Sequence, residues 1–192
     1  MSPLIIQLIE AVRLVNAMKV DYAVLGGLAV NLYGEPRFTA DVDMNIMLEK
    51  EKLQAFIQKA RKFGFSPACA NLTMFIKKTG VIPMNFSKRG VRGRCDFIIA
   101  ENELEKAALG RAVIRKTGSI KAKFVSPEDL IVHKIISLRP HDREDVRGIL
   151  IRQFGKLDMR YIKNWLAKLD KMDKNLNSLA LLNRLTKRPF KT

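Results

Sequence analysis

Residues 25–47 read LGGLAVNLYGEPRFTADVDMNIM. Two adjacent glycines open the stretch, and two aspartates one residue apart sit near its end inside an apolar run. A charged group is costly in a strand that packs on a core. In a strand, alternate side chains share a face, so Val42, Met44 and Ile46 point one way and Asp41, Asp43 and Asn45 the other. The apolar set is the core face, and both aspartates emerge together on the opposite one. Two ionised carboxylates about 6–7 Å apart repel by roughly 2–3 kcal/mol at an effective dielectric near 20. A cation between them relieves that repulsion, and Mg²⁺ is the usual partner of such oxygens together with waters and phosphates. An Asp-x-Asp pair alone is also a common feature of solvated surfaces.

Two other features bear on the same place. In RCDFII (residues 94–99) Asp96 lies in a second apolar strand. It is either a third carboxylate for the site or one half of a salt bridge to Arg94 on its own face. Gly26 and Gly27 fall at a strand-to-helix junction. Without Cβ atoms the backbone can approach a ligand closely, and helix N-terminal N–H groups attract phosphate. A plain tight turn is the alternative.

Working outward, YAVLGG reads as a short buried strand and LAVNLYG as a short helix closed by Gly34, with Pro36 barring helix beyond it. ADVDMNIML is a strand, and EKEKLQAFIQKARKFG a helix with Gly64 as C-cap. Upstream, Leu4, Ile5, Leu8, Ile9, Val12 and Val15 have helical spacing. The middle reads as strands, MFIKK-TG-VIPMNF, GRCDFIIA and AVIRK-TG-SIKAKFV, turning at Gly80, Gly90 and Gly118. SPEDLIVHKIISL opens a helix, with Ser126 as N-cap and Pro127 in the first helical position. Two or three more helices follow to about residue 187. The expected architecture is α+β, a mixed or antiparallel sheet with flanking helices over residues 1–125. A helical C-terminal part, residues 126–192, packs on that core or continues it as one domain.

The 192 residues are 47% hydrophobic and 28% charged, enough for a core and against global disorder. No apolar run reaches the roughly 18 residues of a membrane span, and the N-terminus reads as an amphipathic helix without a basic leader. Cys69 and Cys95 are too few and too far apart for a zinc motif or a disulfide framework, which favours a cytoplasmic location. The net charge is +16. Residues 61–127 hold fourteen Lys and Arg against four acids, and residues 143–192 thirteen against five. A polyanionic partner and a lysine-rich solvated surface both explain such a balance.

Leu130, Lys134 and Leu138, flanked by Ile131 and Ile135, form the apolar stripe of their helix. A lysine there either snorkels or pairs with an anion, such as a triphosphate or a site aspartate. Arg37 is either a phosphate contact or an ordinary loop arginine. Asp142 and Asp145 near a helix start suit capping and the helix dipole. His133 and His141 lack a second histidine at ligand spacing, and Tyr161 with Trp165 reads as packing.

The combination of apolar-Gly-Gly, Asp41-x-Asp43 and the later apolar-flanked Asp96 resembles the nucleotidyltransferase superfamily related to DNA polymerase β. More narrowly, Arg37-x-Thr39-x-Asp41-x-Asp43, the helix from Asp129 to Lys134, and Arg139, Asp142 and Asp145 resemble the minimal branch of the AbiEii/AbiGii toxins. The resemblance spans about residues 22–150. It implies catalytic and metal-binding roles for Asp41, Asp43 and Asp96 with Mg²⁺ or Mn²⁺, and nucleotide or phosphate contacts from Gly26, Gly27, Arg37, Thr39 and Lys134. Many members carry serine where this chain has Gly27, so here the phosphate grip falls to backbone N–H groups and basic side chains. The implied reaction moves a nucleoside monophosphate from an NTP such as ATP to a hydroxyl. The acceptor candidates are the 3′ end of a tRNA or other RNA, a protein hydroxyl and a small molecule such as an aminoglycoside. A toxin–antitoxin or phage-defence role with a protein partner, and no membrane, goes with that branch. The rival readings are a catalytically inactive, basic nucleic-acid-binding or complex-forming protein on the same fold, and a Mg²⁺-dependent nuclease.

Overall fold

Among the described residues, seven strands make one mixed sheet in the order β3-β4-β5-β2-β1-β7-β6. They are β1 (Tyr22–Leu25), β2 (Asp41–Ile46), β3 (Phe65–Pro67), β4 (Val81–Lys88), β5 (Val91–Ile99), β6 (Val113–Thr117) and β7 (Ile120–Phe124). The computed structural model describes residues 1–137 and 139–187. Leu138 of the expected helical stripe lies outside them. The chain divides into two compact units. The first, Met1–Leu28 with Phe38–Val125, holds the sheet. The second joins Ala29–Arg37 to the helical segment from Ser126 onward.

In the first unit β2 is central. It pairs antiparallel with β1 and parallel with β5, while β1 pairs parallel with β7. Val42, Met44 and Ile46 are fully buried, as are Cys95 and Phe97 of β5. Helix α1 (Pro3–Ala17) lies against β2 and β5. Phe97 also meets Phe56 and Phe65 edge-on, at centroid separations of 5.1 and 5.7 Å. Phe56 is carried by α3 (Leu53–Lys62). Toward the C-terminal end of β2 the aspartate face is covered too. Asn45, 1% exposed, donates from Nδ2 to the Glu105 carbonyl of α5 (Glu103–Gly110) at 3.0 Å.

The expected turns at Gly90 and Gly118 are present. Arg89 and Gly90 both take positive φ, 53° and 75°, between paired Lys88 and Val91, the requirement of a two-residue hairpin. The turn at Gly80 is different. Residues 74–78 are not a strand but part of α4 (Leu72–Thr79), and Gly80 at φ 68° is its left-handed C-cap. Met-Phe-Ile-Lys-Lys fits a short amphipathic helix as well as a strand, and a glycine that stops a helix looks like one that turns a hairpin. Helix α5 and the short β3 are additional to the expected elements.

In the second unit the end of α2 (Gly26–Tyr33) and the loop after it lie along α7 (Pro140–Arg152). A Cβ on Gly148 would fall 2.9 Å from the Glu35 nitrogen, and Gln153 Nε2 donates to the Tyr33 carbonyl at 3.0 Å. Helix α6 (Pro127–Ile136) starts on the expected cap, Ser126 Oγ accepting from the Asp129 N–H at 3.1 Å. Its Leu130, Ile131, Val132 and Ile135 are buried. Helices α8 (Met159–Met172) and α9 (Ser178–Lys187) complete this unit.

Candidate active site

The exposed end of the β2–β5 pair gathers Asp41, Asp43 and Asp96. Asp43 and Asp96 are register partners on adjacent parallel strands, and Asp41 stands opposite Arg94. Equal parity puts all four side chains on one face of the sheet. Asp41 is exposed and Asp43 half-buried. Arg94 Nε donates to Asp96 Oδ1 at 3.0 Å, so the salt bridge that the sequence offered as an alternative for Asp96 exists. Its reach is wider than one partner. The Arg94 guanidinium is held above its ordinary pKa by the hydrogen bond and charge of Asp96, and further by the charges of Asp41 and Asp43. On the buried side of β5, the Cys95 thiol is pushed well up, by burial first and then by the charges of Asp43, Asp96 and Asp41. Two groups on opposite faces thus register the same negative field.

The glycine pair has a direct geometric role. Gly26 takes φ +65°, and a Cβ there would lie 1.9 Å from Asp43 Oδ2. A Cβ on Gly27 would lie 2.5 Å from Thr39 Oγ1. The bare backbone of the β1–α2 junction therefore seats Asp43 and Thr39.

Among the described residues no three His, Cys, Asp or Glu side chains close into a metal-binding group. A Mg²⁺ site need not be closed in that way, since Mg²⁺ keeps waters and takes one or two carboxylates plus substrate phosphates. Asp43 and Asp96 as hard-oxygen donors, with Asp41 two residues along, fit that requirement. Arg94 supplies the opposing charge in their present arrangement.

In the second unit, Arg37 and Lys134 are both engaged by aspartates of α7. Arg37 makes a two-pronged pair with Asp145, Nε to Oδ1 at 2.7 Å and Nη2 to Oδ2 at 2.9 Å. Lys134 Nζ bonds Asp145 Oδ2 at 2.9 Å and also Asp142 Oδ1. Ser137 Oγ donates to the other Asp142 oxygen. Asp142 and Asp145 are 6% and 5% exposed. Burial raises the Asp145 pKa, but hydrogen bonds and charge from Arg37 and Lys134 outweigh it, and the carboxyl sits below its ordinary value. Of the two fates read for Lys134, pairing with carboxylates is the one observed. An open cavity of about 390 Å³ adjoins this network, lined by Glu35, Pro36, Arg37, His141, Glu144 and Asp145. His133 is half-buried, and desolvation holds its pKa below the ordinary value against the opposing charge of Asp129. Tyr161 donates to buried Asp129 at 2.6 Å and meets the Trp165 ring at 6.4 Å.

The shared strand parity of residues 94 and 96 predicts their pairing, and the charge of Arg94 reaches Asp41 and Asp43 as well.

Among curated proteins none matches the chain in sequence. Among solved structures, the antibiotic-resistance factor ANT(2'')-Ia superposes with a TM-score of 0.55 at 13% identity, over 90% of this chain and 94% of that one. An antigenic nucleotidyltransferase-like protein from Paracoccidioides brasiliensis gives 0.46 at 19% identity, over 91% of each chain. The lincosamide antibiotic adenylyltransferase LnuA, bound to lincomycin, gives 0.47 at 18% identity, over 74% of this chain and 93% of that one. The similarity to ANT(2'')-Ia is one of fold. Residues 5–183 match the family described as "Nucleotidyl transferase of unknown function (DUF2204)", and the chain belongs to that family within the nucleotidyltransferase superfamily.

Proposed function

We propose that this nucleotidyltransferase works on the exposed end of the β2–β5 pair, moving a nucleoside monophosphate from an NTP to a hydroxyl acceptor. The observation that carries the reading is the seating of Asp43 on the bare Gly26 backbone in register with Asp96. Asp41, Asp43 and Asp96 would hold Mg²⁺ or Mn²⁺, which when bound supplies Lewis-acid polarisation of the phosphoryl oxygens. Gly26 and Gly27, at the N-terminus of α2, would offer backbone N–H groups to phosphate oxygens beside the seated Asp43 and Thr39. Thr39, fixed against Gly27, offers a hydroxyl where this chain lacks the serine of related members. Arg94, which bonds Asp96 at 3.0 Å, would be the cation of this cluster available to a substrate phosphate oxygen. Within the second unit, Arg37 and Lys134 are the phosphate contacts that the family resemblance implies, each exchanging a carboxylate oxygen of Asp145 or Asp142 for a phosphate oxygen.

The acceptor we favour is RNA, with tRNA first. The charge of +16 exceeds what one triphosphate calls for, and the surplus suits a polyanion. The test is incubation with each labelled NTP and Mg²⁺ in the presence of total RNA or protein, followed by locating the label. Asp43→Asn should lower transfer by at least about 100-fold, the scale of losing an electrostatic contact to the transition state, with the circular dichroism spectrum retained. Unaltered transfer by that variant refutes the site.

A further inference from the structure

We infer that the groove between α7 and α9 is a docking site for the phosphodiester backbone of RNA. This rests on the RNA-acceptor reading above and gives it a location. The groove is a cavity of about 410 Å³ lined by Arg143, Arg147, Leu181, Arg184, Leu185 and Lys187. Four of the six lining residues are cationic and none is acidic. All four are exposed. Among the described residues none of them forms a salt bridge, in contrast to Arg37 and Lys134 of the same unit, whose charges are taken by Asp145 and Asp142.

The placement is not that of a general solvated face. Arg143 and Arg147 are one turn apart on α7, and Arg184 and Lys187 one turn apart on α9. Each pair is a like-charge neighbour pair that weakens its own helix. The two pairs line the same cavity, so each also repels the other. An anion in the groove removes both repulsions. Three of the four cations are arginines, whose planar fork matches two phosphate oxygens at once. The floor, Leu181 and Leu185, is 7% and 2% exposed. It offers little apolar area to anchor a peptide, so charge carries recognition. A run of phosphates suits that balance better than an acidic protein segment, which would need an apolar anchor as well.

The test uses the full chain and fluorescently labelled total tRNA, titrated at several salt concentrations. Calorimetric binding of ATP with Mg²⁺ is measured alongside. The wild type should bind tRNA with affinity that falls steeply as salt rises, because each phosphate contact releases counterions. The Arg147→Glu/Arg184→Glu variant should lose at least about tenfold in tRNA affinity near 0.1 M salt, and its log–log salt slope should shrink by about 2. Its ATP binding should hold. The milder Arg147→Gln/Arg184→Gln variant should fall between the two, with a thermal midpoint no lower than the wild type's, since it relieves like-charge repulsion. Lys163→Glu/Lys168→Glu, on α8, serves as the charge-matched control and should retain most affinity. Equal losses in that control would make the attraction diffuse and overturn the proposal. So would groove variants that bind like the wild type, or poly-glutamate competing as well as tRNA. A wild type that binds no tRNA at low salt also overturns it, while ATP binding and label transfer to another acceptor would leave the catalytic reading standing.

Discussion

At the scale of single residues, Gly26 is the position with the least freedom. Its φ of +65° is left-handed, and its missing Cβ is the space that Asp43 Oδ2 occupies. Gly26→Ala therefore incurs about 1–2 kcal/mol for the left-handed backbone and displaces a carboxylate of the site. The expected outcome is a lower urea midpoint together with nucleotidyl transfer reduced at least tenfold. Gly27→Ala meets the Thr39 side chain first and has no positive φ, so it should cost less stability; the reverse order in a urea titration would contradict this geometry. The residue pattern around Gly26 was readable in advance. Alternation along ADVDMNI set Asp41 and Asp43 on one face because β2 is buried against α1 on its other face. The seating of Asp43 on Gly26 was not readable, because it depends on how the β1–α2 junction turns back on β2. The buried Glu10, 2% exposed and bonded to Lys88 at 2.7 Å and Arg13 at 2.9 Å, was equally hidden. Helical spacing marks which side of α1 is apolar, and a carboxylate on that side declares its partner only through the fold.

At the scale of elements, α5 joins local sequence to the site. Its first turn is a reciprocal capping box, with Asn102 Oδ1 accepting from the Glu105 N–H at 2.9 Å and Glu105 Oε2 accepting from the Asn102 N–H. The carbonyl of the same Glu105 holds Asn45 at 3.0 Å, four residues along β2 from Asp41. Asn102→Ala should cost about 1 kcal/mol, the usual worth of such a cap. Hydrogen exchange should speed in residues 103–106, and chemical shifts at Asn45 should follow. An unchanged urea midpoint would remove the cap from the account. The Asn-x-x-Glu spacing was legible as a helix start. It is masked because ENELEKAALG lies between two strong strand signals. In α4 the ambiguity runs the other way. Its eight residues are too few to separate helical from strand periodicity, and only the position of Gly80 after Ile76, whose carbonyl it caps at 2.7 Å, decides between them. The long, strongly patterned α1 and α6 needed no such arbitration.

At the scale of the whole molecule, the excess of positive charge and the buried carboxylates act on stability in ways that salt and pH can separate. With +16 charges the folded chain repels itself, and added salt screens exposed charges beyond about 10 Å at 0.1 M. The opposing effect, screening of attractive pairs, is small here. The pairs that bury a carboxylate, Glu10 with Lys88 and Asp145 with Arg37 and Lys134, are poorly reached by ions. Exposed pairs such as Lys50 with Glu101 at 3.8 Å contribute about 0–1 kcal/mol each. The thermal midpoint at pH 7 should therefore rise by a few degrees between about 20 and 300 mM NaCl, the shift expected from a gain of about 1 kcal/mol. Acid acts the other way. Burial tends to raise the pKa of both Glu10 and Asp145, but their cationic partners prevail and both sit below their ordinary values in the fold. Stability from a carboxyl lowered in this way is fully present above its unfolded pKa and is lost as pH falls through its folded one. Midpoints should thus be nearly flat from pH 7 down to the ordinary carboxylate range and then drop steeply. The double variant Glu10→Gln/Asp145→Asn should start lower at pH 7, by about 2–5 kcal/mol for two hydrogen-bonded charges, and show a shallower acid limb. A variant whose acid limb runs parallel to the wild type would assign the loss to the growing net charge alone.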